Sequence, residues 1–208
     1  MEIDVTEEIK SKYNEKAESY DKMLAPMEKM MMGKWRKILF AKAEGLILEA
    51  GAGTGANIPY YPEKAVKVIG IDFSPKMLEK AKEKLSLAKV SVELMEGDVQ
   101  HLPFKDSYFD TVVAACVFCS VPDPVQGFKE LRRVIKPEGE LYMLEHVRSE
   151  GKFLGLLMDK LNPLSLKYGG VNINRRTENN IRLAGLKVTS VELLFKDIVK
   201  LITVSPNK

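Results

Sequence analysis

Apolar residues along this chain follow two patterns that alternate. Short apolar runs of strand length are separated by stretches in which apolar residues recur every three or four positions, the spacing of an amphipathic helix. The runs that predict strands cover residues 46–50, 66–71, 90–95, 110–117 and 140–147. Helices are predicted at residues 76–86, which Ser74 and Pro75 open as cap and first-turn residue, and at residues 124–135, which segment 136–139 ends.

This alternation predicts a doubly wound α/β domain with a mostly parallel sheet. Neighbouring parallel strands need crossover connections, and helices then cover both faces of the sheet. Residues 110–117 form the continuous apolar run that is typical of a buried central strand. In the tail, residues 186–195 and 198–204 are separated only by Lys196 and Asp197, which indicates a hairpin and an antiparallel final strand.

The composition is that of one globular unit and limits the classes of function. The 208 residues are 45% apolar and 29% charged, and 32 basic and 29 acidic residues are mixed along the chain to give a net charge of +3. Such mixing leaves no concentrated basic surface, so DNA binding is not expected. The acidic start lacks the pattern of a signal peptide, no apolar stretch reaches the ~20 residues of a membrane span, and two cysteines form no disulfide framework. We therefore expect a cytoplasmic protein.

Glycines and carboxylates that follow three successive predicted strands point to a ligand site. Gly51, Gly53 and Gly55 come directly after the first strand, where glycines allow a tight turn and free amides can receive an anionic group. Asp72 ends the second strand, in position to accept hydrogen bonds from both ribose hydroxyls of a nucleotide-like cofactor, and Asp98 follows the third. Taken singly, the glycines also fit an ordinary strand-to-helix turn and Asp98 an ordinary turn residue. Together they predict one ligand at the carboxyl edge of the sheet.

At these positions the sequence resembles the class I S-adenosylmethionine-dependent methyltransferases. The resemblance covers roughly residues 13–204, and its most specific parts are the loop Glu49-Ala-Gly-Ala-Gly-Thr-Gly and Ile71-Asp72 with the Ser-Pro-x-Met that follows. It implies a seven-stranded Rossmann-like sheet with a reversed final strand, and S-adenosylmethionine as the cofactor, with S-adenosylhomocysteine as product. The residues that it assigns to the cofactor site are Glu49, Gly51, Gly53, Gly55, Asp72, Phe73, Met77, Asp98, Val99 and Cys116.

Several positions have a second explanation in core packing. Phe73 and Met77 either flank the adenine ring or fill the core at a strand end and on a helix. Tyr13 and Tyr20 lie seven residues apart on one helix face, and they resemble the N-terminal tyrosines that lie over the cofactor in related enzymes. We therefore expect residues 1–40 to form a helical lid and residues 41–208 the methyltransferase domain. The methionines of segment 23–32 either cover a lipid-like acceptor or fill a gap in the core.

Within the family, the sequence is similar to enzymes that methylate small molecules: phospholipid N-methyltransferases, quinone C-methyltransferases and thiol methyltransferases. The similarity lies in Asn57-Ile-Pro-Tyr-Tyr-Pro and in Leu144-Glu-His-Val-Arg. It implies in-line methyl transfer to a small or lipid-like acceptor. Two other hypotheses stay open, a noncatalytic cofactor-binding scaffold for a partner enzyme and an RNA methyltransferase. The RNA enzymes carry Asn/Asp-Pro-Pro-aromatic after strand four, where this chain has Ser120-Val-Pro-Asp.

Few catalytic side chains are needed for methyl transfer from a sulfonium, because positioning and exclusion of water supply most of the rate. His146 ends the fifth predicted strand at the ligand edge and is the candidate general base, or else a structural hydrogen-bonding residue. Cys116 and Cys119 lie at the same edge, with Cys116 expected in the cofactor pocket and Cys119 in the loop towards the acceptor. Since the two histidines show no zinc-finger spacing, no metal site is predicted.

The segment 152–182 is the candidate region for acceptor recognition. Arg175 and Arg176 either bind a phosphate or carboxylate of the substrate, since guanidinium groups match such anions, or carry surface charge ahead of a helix. The apolar stretch near Leu154 and the methionine-rich stretch together suggest peripheral membrane contact. No pattern in the sequence indicates an oligomeric state.

Overall fold

The computed structural model describes residues 5–208. The first four residues belong to the acidic start and to the expected lid, and they lie outside the described part of the chain. The helices are α1 (Val5–Met27), α2 (Gly33–Ala41), α3 (Pro75–Glu83), α4 (Pro124–Val134), α5 (Lys152–Gly169) and α6 (Thr177–Leu183). The strands are β1 (Gly45–Ala50), β2 (Ala65–Asp72), β3 (Val92–Glu96), β4 (Phe109–Ala115), β5 (Ile135–His146), β6 (Lys187–Phe195) and β7 (Val199–Ser205). A π-helical turn, Glu28–Met32, joins α1 to α2.

The seven strands form a single sheet in the order β3-β2-β1-β4-β5-β7-β6. β1 pairs in parallel with β2 and β4, β2 with β3, and β4 with β5. β7 runs antiparallel to both β5 and β6, since the tight connection after β6 returns the chain alongside it. The predicted doubly wound sheet with a reversed final strand is therefore confirmed.

Neighbouring residues on each strand serve two separate apolar cores, because successive side chains of a strand point to opposite faces. Leu48, with its counterparts on β4, β5 and β7, packs against α4 and α6. Ile47 points the other way and packs with Trp35, Leu39 and Phe40 of α2. α2 thus covers one face of the sheet, and within segment 5–40 it is α1 that reaches over the strand ends.

The element boundaries differ from the predictions at two places that matter for the site. β4 ends at Ala115 rather than at residue 117, because Cys116 adopts a left-handed backbone conformation with φ 58° that cannot continue a strand. β5 begins at Ile135, directly after α4, and not at residue 140. Residues 136–139 follow the end of the helix as predicted, but their backbone is extended and forms part of β5. Within residues 5–208, no helix is long and apolar enough to cross a bilayer.

Candidate functional site

A cavity of about 920 Å³ lies at the carboxyl edge of the sheet, between the ends of the first five strands and α1. It falls in the ~300–1,000 Å³ range that is usual for ligand sites. Most of the predicted site residues line it. They are Tyr13, Tyr20, Gly51, Gly53, Gly55, Asp72, Phe73, Met77, Asp98, Val99, Cys116, Cys119 and His146.

The glycine loop after β1 takes a backbone path that only glycine follows without strain. Gly51, Gly53 and Gly55 have φ values of +72°, +54° and +76°. A β-carbon at Gly51 would lie 2.5 Å from the side chain of Val117, whereas one at Gly53 would meet no protein atom within 4 Å. Gly53 lines the cavity, so its missing side chain leaves room for a ligand against the backbone.

Asp72, at the end of β2, holds this loop in place. Its Oδ2 accepts a hydrogen bond from the Gly53 amide at 2.9 Å, and its Oδ1 accepts one from the Ser74 amide at 2.9 Å. Burial raises the pKa of Asp72 to about 6, although both hydrogen bonds act in the opposite direction. The carboxylate is therefore ionised at neutral pH, and each oxygen keeps a lone pair for a further donor such as a ribose hydroxyl.

The turn after β3 forms the far wall of the cavity. Asp98 accepts hydrogen bonds from the Gln100 amide at 2.8 Å and from its side chain at 2.9 Å, so Asp98 stabilises this turn while it lines the cavity. Met77 is almost fully buried on α3 and also reaches the cavity. Core packing and cavity lining are thus compatible for Met77.

α1 is closed over the cavity by polar contacts along its length. Tyr13 shares a hydrogen bond with Ser120 at 2.5 Å, and its ring lies 5.7 Å from that of Phe73. Asn14 accepts a hydrogen bond from Ser74 at 2.7 Å. Farther along, Asp21 accepts one from Thr54 of the glycine loop at 2.6 Å and pairs with Lys84 at 2.5 Å. Through Asn14 and Asp21, α1 is thus joined directly to the segment that follows Asp72 and to the glycine loop.

His146, Cys116 and Cys119 border the end of the cavity near β4 and β5. Burial lowers the pKa of His146, so its imidazole is neutral at pH 7 and able to accept a proton. Burial raises the pKa of Cys119 to about 12, which keeps this thiol protonated. Cys116 takes a positive φ at a position open to the cavity. The imidazole is therefore the proton acceptor among these three side chains.

Comparisons with known proteins agree with this geometry. Residues 48–143 match the family model described as a methyltransferase domain. The chain is 34% identical over 172 residues to a demethylmenaquinone methyltransferase of Lactobacillus johnsonii, covering 76% of this chain and 70% of the relative. It is 42% identical over 105 residues to a phosphatidylethanolamine N-methyltransferase of Cereibacter sphaeroides, covering 49% of this chain and 51% of that one.

The chain belongs to the class I S-adenosylmethionine-dependent methyltransferases. The fold is also that of the DhpI–S-adenosylhomocysteine complex, which superposes with a TM-score of 0.73 at 19% identity over 97% of each chain. Because the chain belongs to this family, S-adenosylmethionine is its cofactor. The chain spans only about half of the Cereibacter relative, 51% of its length.

Arg36 is a site residue of this methyltransferase that sequence reasoning missed. It lines the cavity from α2 while almost fully buried. Its Nε donates to both oxygens of Glu28 at 2.9 and 3.1 Å, and its Nη1 donates to Asn57 at 2.5 Å. The sequence did contain a signal, because Arg36 lies four residues after Met32 and four before Phe40, on an apolar helix face where a charged residue is unexpected.

The structure places three predicted site residues away from the cavity. Glu49 is fully buried behind the glycine loop, where its carboxylate accepts hydrogen bonds from Asn57 and Tyr61. Arg175 donates to the carbonyl of Val121 at 2.8 Å, outside the cavity wall. Arg176 is exposed directly before α6.

Proposed function

We propose that this methyltransferase transfers the methyl group of S-adenosylmethionine to a small or lipid-like acceptor that enters beside His146 and α1. The main support is one cavity that holds both the cofactor residues and an apolar part. Its apolar lining includes Tyr60, and Leu24, Met27 and Met32 from the end of α1 and the π-helical turn. The methionine-rich stretch thus contributes to the cavity wall, and flexible methionine side chains adapt to acceptors of irregular shape.

The residues present fit the cofactor. The ribose hydroxyls would donate to Asp72, whose two backbone partners leave one lone pair on each oxygen. The space against Gly53 would receive the amino-acid part of the cofactor close to the backbone. Adenine would lie between Phe73 and the turn that carries Asp98 and Val99.

Arg36 would hold the carboxylate of the cofactor's methionine part. In the described residues 5–208 its Nη2 has no hydrogen-bond partner, while Nε and Nη1 are fixed by Glu28 and Asn57. A guanidinium held in this way is preorganised to donate towards an anion in the cavity. Glu49 would act through Asn57, which it holds next to Arg36.

The side chains of this chain would position the acceptor and remove its proton. When bound, the cofactor supplies a methyl group on a positively charged sulfur, which needs little assistance to leave. Tyr13, with the hydroxyl fixed by Ser120, and Tyr20 would exclude water above the reacting atoms. His146 would accept the proton of a phenol, thiol or activated carbon on an imidazole nitrogen, because burial keeps its pKa low.

The acceptor class is supported by the names of the relatives. One is a phosphatidylethanolamine N-methyltransferase and another a demethylmenaquinone methyltransferase. Both names describe acceptors with long apolar chains, which suits a cavity wall of methionines and leucine. A cytoplasmic location is part of the same proposal and agrees with the two free cysteines.

The decisive experiment supplies cofactor labelled at the methyl group together with lipid amines, quinols, phenols and thiols. The proposal expects label in one apolar acceptor, identified by mass spectrometry, with turnover lost in Asp72→Ala. Saturable binding of S-adenosylhomocysteine without product across this panel would instead favour the noncatalytic scaffold. Label transferred to RNA and to none of the small molecules would contradict the proposed acceptor class.

A further inference from the structure

Helix α5 presents an apolar face that the rest of the described chain leaves uncovered. Its exposed large side chains are Phe153, Leu156, Leu157, Leu161, Leu164 and Tyr168. At 100° per residue these positions fall within an arc of about 140° on one side of the helix. The opposite side is packed, since Gly155 and Met158 are buried there. The exposed face is therefore an apolar stripe in which five residues, from Phe153 to Leu161 around the helix, are contiguous. Lys160 and Lys167 lie between Phe153 and Leu156 on the same face.

The inner side of α5 is held firmly to the domain. Arg148 donates to both oxygens of Asp159 at 2.7 to 3.1 Å, and Met158 accepts a hydrogen bond from the Ser149 amide. Near the C-terminal end, Ser165 donates to the carbonyl of Val171 at 2.9 Å. These contacts fix the rotation of α5, so the stripe faces outwards as a consequence of the fold.

The charges around the stripe are positive. Lys152, Lys160 and Lys167 are exposed, and by helical spacing they lie within or beside the apolar arc. In the chain from residue 5 onwards none of the three forms an ion pair, and the single acid of α5, Asp159, is neutralised by Arg148. Lys167 lies over the ring of Tyr168, with 5.4 Å from Nζ to the ring centroid. A face of leucines with an aromatic residue at each end and exposed lysines within and beside it is the pattern of a helix that lies in a membrane interface.

The stripe is also linked to the cavity. Lys12 and Lys16 of α1 donate to the carbonyls of Leu166, Tyr168 and Gly169 at the end of α5. Two residues later Val171 lines the cavity, and the next amide, that of Asn172, donates to the carbonyl of Cys119. A surface that contacts α5 is therefore adjacent to the segment of α1 that closes over the site.

We propose that the α5 stripe docks this protein onto an anionic lipid surface. The leucines and Phe153 enter the boundary between headgroups and acyl chains, while the three lysines extend towards lipid phosphates. Docking in this orientation brings the cavity next to the lipid layer that contains a lipid-like acceptor. The docking itself does not depend on the identity of the acceptor.

The test uses the full chain and flotation with two kinds of vesicle, one of phosphatidylcholine with phosphatidylglycerol and one of phosphatidylcholine alone. The wild-type protein is expected to float with the anionic vesicles and to be released by high salt. Leu156→Ser with Leu164→Ser should reduce the partition coefficient at least about tenfold, because two leucines no longer leave water. The control pair is Leu183→Ser with Leu193→Ser, whose exposures of 63% and 58% match the 65% and 59% of the stripe pair.

Charge-reversal variants distinguish the contribution of the lysines to vesicle binding from that of the apolar side chains. Reversal of the three lysines, K152E with K160E and K167E, should remove the preference for anionic vesicles. The matched reversal K34E with K37E and K42E, at exposed lysines on and after α2, should retain it. All variants should bind S-adenosylhomocysteine with unchanged affinity, which distinguishes a failed docking surface from a failed cofactor site.

Three results would overturn the proposal. The first is wild-type protein that floats with neither vesicle. The second is equal flotation of the two leucine pairs. The third is a wild-type dimer that Leu156→Ser with Leu164→Ser converts to a monomer, seen by light scattering, because the stripe would then be covered by a second copy of the chain.

Discussion

Asp72 and Gly53 are joined by a hydrogen bond of 2.9 Å from the Gly53 amide to Oδ2, so the carboxylate at the end of β2 fixes the turn that follows β1. Replacement by alanine removes this bond together with the proposed acceptor for the ribose hydroxyls. Asp72→Ala should weaken S-adenosylhomocysteine binding by about a hundredfold, since charged hydrogen bonds contribute ~1.5–3 kcal/mol each. Calorimetry measures the affinity, with Glu79→Ala on the exposed side of α3 as control.

A substitution at Gly53 distinguishes the backbone strain of a positive φ from the loss of space for the cofactor. A methyl group at this position meets no protein atom, yet it projects towards the cavity. Gly53→Ala should cost ~1–2 kcal/mol of stability from its positive φ and should additionally reduce cofactor affinity. Gly185→Ala is the matched control, because Gly185 also has a positive φ and only ordinary contacts near Arg132. Equal cofactor affinity in the two variants would contradict the placement of the ligand against Gly53.

Substitution of Arg36 should weaken the binding only of those ligands that carry the amino-acid end of the cofactor. Lysine cannot reproduce the planar contacts with Glu28 and Asn57 and still donate into the cavity. Arg36→Lys should weaken S-adenosylhomocysteine binding at least about tenfold and leave 5′-methylthioadenosine binding unchanged, since that compound lacks the carboxylate. Affinities for both ligands, measured by calorimetry on the same preparation, test this. A parallel loss for both would show that Arg36 acts through the fold alone.

His146 should set the acid limb of the pH profile when the acceptor must lose a proton. Burial lowers its pKa, so the neutral base is present at pH 7 and is lost as the pH falls through that pKa. His146→Gln should reduce kcat by ~10²–10⁴ and abolish this limb. His101→Gln is the matched control, because His101 is the other histidine of the sequence and is exposed. An unchanged profile in His146→Gln would assign this histidine a structural role.

Glu49 should make the fold less stable at higher pH. Burial raises its pKa from 4.5 to about 7, so the folded state binds the proton more tightly than the unfolded chain does. The contribution of protonated Glu49 to the free energy of unfolding is fully present below pH 4.5. It is lost as the pH rises through 7, a change of about 3 kcal/mol. Denaturant unfolding of Glu49→Gln from pH 5 to 8 should show a flatter dependence than wild type. The exposed control Glu79→Gln should retain the wild-type slope.

The elements and the cofactor loop were predictable because they depend on residues close together in sequence. Alternating apolar runs determine strands and helices, and the spacing of Gly51, Gly53 and Gly55 after a strand indicates a nucleotide-type turn. The helix start expected after these glycines is wrong, since only a 3-10 turn, Ile58–Tyr60, precedes β2. The prediction for β4 extended two residues too far, since nothing local in Cys116 indicates a left-handed conformation. That conformation is decided by the packing of the loop after β4.

By itself, the sequence determined the order of elements, the reversed last strand and the carboxylate at the end of β2, because each follows from local periodicity. Only the tertiary structure decided that Arg36 faces the cavity, that Glu49 lies behind the loop and that Tyr13 meets Ser120. Tyr13 and Ser120 are 107 positions apart, and the partners of Arg36 and Glu49 lie 8 to 21 positions away on other elements or loops. Such pairs become neighbours only when helices pack on the sheet, and no local pattern specifies which polar side chains then share a buried position.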